Sequence, residues 1–167
     1  MTPSVPALLA EIETLPDEWA LVLLDRALAS GECRPSELVA HAREFSERLQ
    51  WLVVIADAHA VTTAHSLVRR AWYAANLPTP TVGRRLLTPR GMVNTICATE
   101  YHRFAVTTEA SDDAVAWLAR VGWRVLVLNE EKVHDASMSA LSEHLRAEHL
   151  QHLGTVGLGG HRPRTGA

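Results

Sequence analysis

Lysine is almost absent from this chain. Its 167 residues hold fifteen arginines and one lysine, Lys132. Chemistry that needs an ammonium group must use Lys132 or do without one. Cysteine is scarce as well. Cys33 and Cys97 stand far apart, and neither CxxC nor HExxH occurs. Those absences remove the common redox and zinc motifs and leave two reduced thiols, as in a cytoplasmic protein. Long apolar runs are missing. Stretches such as Trp51–Ala56 fall far short of the roughly 20 residues that span a bilayer. No N-terminal stretch joins a basic start, an apolar run and a small-residue cleavage site. A cytoplasmic chain without membrane association is expected.

What remains is ordinary globular material. Hydrophobic residues make up 47% and charged residues 21%, enough to build a core without metal or disulfide staples. The length suits one domain, or one domain with a small helical annex. The net charge of −3 announces no whole-chain basic field.

Along the chain, Ala7–Leu15 predicts a short helix between prolines. Asp17 is placed to cap a helix through Leu28, with Gly31 ending it. Pro35 opens a helix over Pro35–Leu49, and Trp51–His59 is a further apolar stretch. Thr62 or Thr63 caps a helix through Asn76, stopped by Leu77-Pro78-Thr79-Pro80. The pattern then turns β-prone at Thr81–Leu87, Met92–Ala98 and Phe104–Thr108, with Thr88-Pro89-Arg90-Gly91 as a turn. Ser111 caps a helix from Asp112 to Val121. Trp123–Leu128 reads as a strand buried on both faces, and Ser137–Leu153 as the last helix. The expected fold is α/β (α+β): a helical segment at 1–59, a β-β-β-α-β core with flanking helices at 60–153, and a disordered tail at 154–167.

Three stretches carry a family resemblance. Ile55-Ala56-Asp57 through Asn76-Leu77-Pro78-Thr79-Pro80 resembles a helix opening with "LAD" and closing with "AGLPxP". Ala20-Leu21-Val22 through Leu28, with Pro35-Ser36-Glu37-Leu38, resembles the lead-in of the same proteins. Val121-Gly122-Trp123-Arg124-Val125-Leu126 resembles their "GWxVL" strand. The family is the actinobacterial group related to very-short-patch-repair endonucleases, of the PD-(D/E)XK, restriction-endonuclease-like fold. It often forms part of type IV antitoxin-like (abortive-infection) proteins.

The resemblance implies a Mg²⁺ site of carboxylates, which need a negative oxygen set to hold the ion. The helix Glu of the family matches His65, its strand Asp matches Asn94, and its next acid falls at Thr107 or Thr108. Each replacement removes a negative ligand. The resemblance therefore implies a degenerate copy with no catalytic residue, metal or cofactor. A shifted register would instead gather Glu100, Glu109 and Asp112 into a residual metal nuclease.

Acid is absent from residues 58–99, which carry a net +5 through Arg69, Arg70, Arg84, Arg85 and Arg90. Residues 1–57 carry −6 and residues 100–167 carry −2. Two readings stay open. The five arginines form a phosphate-binding face, or they pair with the acidic lead-in. His149 and His152, three apart on the last helix, can share a metal or lie on a solvated helix end. The five tryptophans are expected in the core, with Trp72-Tyr73 the pair best placed to reach an interface. The expected function is binding without catalysis, to duplex DNA as a regulator or accessory factor, or to a protein as an antitoxin, immunity or phage–host conflict factor.

Overall fold

The computed structural model describes residues 4–60 and 62–159. Among them it shows eight helices, a mixed four-stranded sheet and a separate two-stranded ribbon. Four helices come first: α1 (Val5–Ile12), α2 (Asp17–Ala29), α3 (Pro35–Ala42) and α4 (Glu47–Ile55). They close over their own core, in which Leu9, Leu21, Leu24, Leu38, Leu49 and Leu52 are fully buried. Each such side chain contributes about 1.5–3 kcal/mol by leaving water.

Two expectations change here. The helix expected over Pro35–Leu49 is two helices. The first ends at Ala42, and Ser46, whose hydroxyl accepts the Leu49 N–H at 3.2 Å, starts the second as α4. Asp17 is not the cap of α2; Pro16 takes that place. The Asp17 carboxylate instead reaches Arg48 at 2.6 Å and Arg70 at 2.7 Å. Those guanidinium groups outweigh the effect of burial and hold Asp17 below its ordinary value.

The fifth helix, α5 (Thr63–Ala74), starts where Thr62 accepts the His65 N–H at 3.3 Å. Asn76, at φ 53°, turns the chain out of it. Trp72 does not reach an interface. It is fully buried, its indole N–H donates to Pro78 O at 2.7 Å, and its ring lies 5.7 Å from that of Phe104. Trp19 and Trp51, expected inside, are 47% and 39% exposed. Tyr73 meets Trp51 edge-on, and the Arg70 guanidinium lies 5.3 Å from the centre of the Trp51 ring.

The strands are β1 (Thr81–Val82), β2 (Arg85–Thr88), β3 (Gly91–Asn94), β4 (Cys97–Thr99), β5 (Phe104–Thr107) and β6 (Arg124–Val127). The sheet runs β1-β4-β5-β6, antiparallel except for β5 and β6, which are parallel and joined through α6 (Asp112–Arg120). Thr81↔Ala98 and Arg85↔Asn94 belong to one unbroken antiparallel register. Thr95 N–H to Arg84 O, 2.8 Å, and Gly83 N–H to Ile96 O, 3.3 Å, bridge the gap. The residues from 81 to 99 are thus one long hairpin. It bends at Gly83, whose φ of +64° suits glycine, and the β2–β3 half leaves the sheet as a ribbon.

Alternation sorts the sheet into two faces. Cys97, Phe104 and Val106 pack on α5 and on α8 (Met138–Gly159). Ala98, Ala105 and Val125 pack with Leu86 and Val93 of the ribbon against Ala114 and Leu118 of α6. Strand β6 is not buried on both faces. It is an edge strand paired with β5, and Val127 is 44% exposed. Between β6 and α8 lies an unanticipated short helix, α7 (Glu130–Asp135), which carries Lys132. The Asn129 side chain caps it by accepting the Lys132 N–H at 3.1 Å.

The expected tail also changes. Helix α8 runs past Gly154 to Gly159. A glycine inside a helix costs about 1 kcal/mol, which weakens but does not end it. Earlier turns are anchored, since Arg146 donates to Ala75 O at 3.1 Å and to Ala74 O at 3.4 Å. The rest of that tail lies outside the described residues. No described helix is long and apolar enough to cross a membrane.

Candidate functional site

A cleft of about 790 Å³ opens between the ribbon, the start of α5 and the carboxyl end of β5. The ribbon is one wall. Arg85 pairs in register with Asn94, and Leu87 with Met92. Their side chains therefore share one face, opposite the Leu86 and Val93 face that packs on α6. Arg85, Arg90, Met92 and Asn94 border the cleft. The second wall comes from the lead into α5, with His59, Thr62 and His65. The floor comes from the end of β5, Thr107 through Ser111, and the rim from Glu130 of α7.

The three positions that the resemblance matches to nuclease carboxylates, His65, Asn94 and Thr107, line this one cleft. Each is held by its element. His65 is the third residue of α5. Burial keeps its ring below the ordinary imidazole value, although Glu130 and a hydrogen bond to the His59 backbone pull it upward. Burial thus favours the neutral ring of His65. Thr107 is buried, its hydroxyl donates to Asn94 O at 2.7 Å, and it accepts the Glu109 N–H at 3.2 Å. That pair of bonds ties the end of β5 to the ribbon.

Two carboxylates, Glu109 and Glu130, do reach the cleft. The others proposed for a shifted site do not join them. Glu100 forms a two-pronged pair with Arg84, at 2.7 and 2.9 Å. Asp112 sits in the first turn of α6, outside the cleft lining. Among the described residues no three His, Cys, Asp or Glu side chains gather as a metal site. A neutral imidazole, an amide and a hydroxyl at the matched positions do not fit the hard, negative oxygen set that Mg²⁺ requires. Glu130 was invisible to sequence reading because it enters from α7, a helix the sequence pattern did not separate from its neighbours.

The five arginines of the acid-free window separate into two groups. Arg69 is 1% exposed; it meets Asp25 at 2.7 Å and donates to Ile55 O. Arg70 meets Asp17, and Arg84 meets Glu100. Arg69 and Arg70 therefore neutralise the acidic lead-in, and Arg69 cannot touch a surface ligand. Arg85 and Arg90 have no ion-pair partner among the described residues and stand at the cleft.

His149 and His152 do not lie on a solvated helix end. They are 5% and 9% exposed. A ring nitrogen of His149 lies 2.8 Å from one of His102, and His152 bonds His102 O at 2.8 Å. Burial, with His102 and His152 adding, keeps His149 below its ordinary value. The thiols are inert: burial pushes Cys97 up to about 12 and raises Cys33 as well.

The chain has no significant match among family models, curated proteins or solved structures.

Proposed function

We propose that this chain is a nuclease-shaped protein that binds DNA through its ribbon and does not cleave it. One observation carries the reading: Arg85 and Arg90, unpaired among the described residues, sit on the two-stranded ribbon and its turn, beside the cleft. Guanidinium groups without acidic partners can fork hydrogen bonds onto phosphate. The major groove of B-DNA, about 12 Å wide, admits a two-stranded ribbon, whereas that of A-form RNA is deep and narrow.

Labelled duplex DNA titrated at several salt concentrations tests this reading. Binding that weakens as salt rises is expected, because phosphate contacts release counterions. Plasmid incubated with Mg²⁺ or Mn²⁺ should stay intact. Cleavage that Glu109→Gln abolishes would restore the residual-nuclease reading.

A protein partner is the second reading. Leu87 is 75% and Met92 47% exposed on the open face of the ribbon, which is apolar surface a protein could cover. A stable stoichiometric complex formed by a chain that ignores DNA at low salt selects it.

A further inference from the structure

The cleft has the volume of a site for one small molecule, a class to which a single nucleotide belongs. Its volume of about 790 Å³ falls in the range, roughly 300–1,000 Å³, of sites that enclose a single small molecule. Chain groups that handle a nucleotide are distributed around it unevenly. The cations Arg85 and Arg90 stand on the ribbon wall, while the carboxylates Glu109 and Glu130 stand at the strand end and on α7. Asn94 is exposed, opposite Arg85 in the register. Among the described residues, only its main-chain oxygen is hydrogen-bonded to a side chain. Its amide therefore offers a donor and an acceptor side by side.

The geometry points to a site for one unpaired nucleotide of a DNA strand, with its phosphate toward Arg85 and Arg90 and its base toward Asn94 and the carboxylates. This rests on the DNA-binding reading above and specifies the form of DNA. Phosphate is repelled by Glu109 and Glu130 and attracted by the ribbon, so charge alone sets the direction of entry. A carboxylate accepts hydrogen bonds and donates none. It accepts from the exocyclic amine of cytosine, adenine or guanine, whereas an unpaired thymine offers only its ring N3–H, flanked by two carbonyl oxygens that repel a carboxylate. The site therefore prefers an amine-bearing base. An unpaired nucleotide carries no unstacking cost, whereas one in a duplex must first be extruded.

The experiment compares an intact labelled duplex with the same duplex bearing one unpaired terminal nucleotide, dC or dT, at fixed salt. Free dCMP serves as competitor. The dC end should bind about tenfold tighter than the intact duplex, and the dT end should lose most of that gain, because its base brings two carbonyl oxygens to the carboxylates in place of an amine. Asn94→Ala and Glu130→Ala should lower the ratio of dC-end to intact-duplex affinity toward one. Equal affinity for the dC end and the intact duplex overturns the inference and leaves the DNA-binding reading standing. A gain equal for dC and dT overturns the carboxylate contact and with it the proposed orientation. Full competition by dCMP with no gain from the strand reassigns the cleft to a free nucleotide. No binding to any DNA removes both readings together.

Discussion

Helix α5 and the β2–β3 ribbon drew their arginines from the same acid-free stretch of sequence and put them to opposite uses. On α5, Arg69 and Arg70 turn toward the N-terminal helices and meet Asp25 and Asp17. On the ribbon, Arg85 and Arg90 meet no acid among the described residues and face the cleft. The difference comes from what each element packs against. Helix α5 lies on the helices that carry most of the negative charge. The ribbon packs its other face on apolar α6 residues. Charge counted along a sequence therefore says little about charge available on a surface.

The contrast can be broken at its strongest point first. Arg69→Ala leaves Asp25 buried without its cation, and removing one partner of a buried pair costs about 3–5 kcal/mol. Denaturant unfolding should show that loss. Changing both partners, Arg69→Met with Asp25→Leu, should recover most of it. Full stability in Arg69→Ala would mean that the pair does not join α2 to α5.

Arg70→Ala removes a partly buried pair, its side chains 18% and 28% exposed, and should cost about 1 kcal/mol. The stabilisation from Asp17 has a defined pH window. Its carboxylate is favoured in the folded chain, so the contribution is complete above the ordinary 3.8 and lost as pH falls below it. In Arg70→Ala the acid limb of an unfolding-versus-pH curve should flatten.

His149 sets a smaller window on the opposite side of the sheet from α6. The folded chain favours its neutral ring, so stability should fall as pH drops below 6.5 and be regained above it. His149→Gln should reduce that dependence, leaving the part set by His65, whose ring is likewise held below its ordinary value. On the ribbon, Arg85→Ala with Arg90→Ala should change stability by no more than about 0.5 kcal/mol, the usual range for surface positions. A larger loss would show that these arginines hold the fold rather than a ligand.

Much of the fold was legible because local signals were strong. Thr62, Ser111 and the Leu77–Pro80 stop mark element ends by side-chain chemistry that works within a turn. The hairpin from 81 to 99 was readable as two strands about Thr88–Gly91. Its bend into sheet and ribbon was not, since Gly83 alone signals a bend without saying which half leaves the sheet. Strand β6 looked doubly buried because Val125-Leu126-Val127-Leu128 is apolar, yet edge or centre is decided by which strands pair, not by composition. His149 and His152 escaped as core residues because their partner, His102, is 47 positions from His149. At the cleft, His65, Asn94 and Thr107 were found through resemblance, while Glu130 depended on a tertiary approach that no spacing encodes.

The most direct test of the central claim is the salt dependence of duplex binding by the wild type and by the double variant Arg85→Ala, Arg90→Ala. Each lost phosphate contact lowers the slope of log affinity against log salt by about 0.9. The slope should therefore fall by about two, with weaker binding across all sequences. An unchanged slope and affinity would contradict the ribbon as the DNA-binding element.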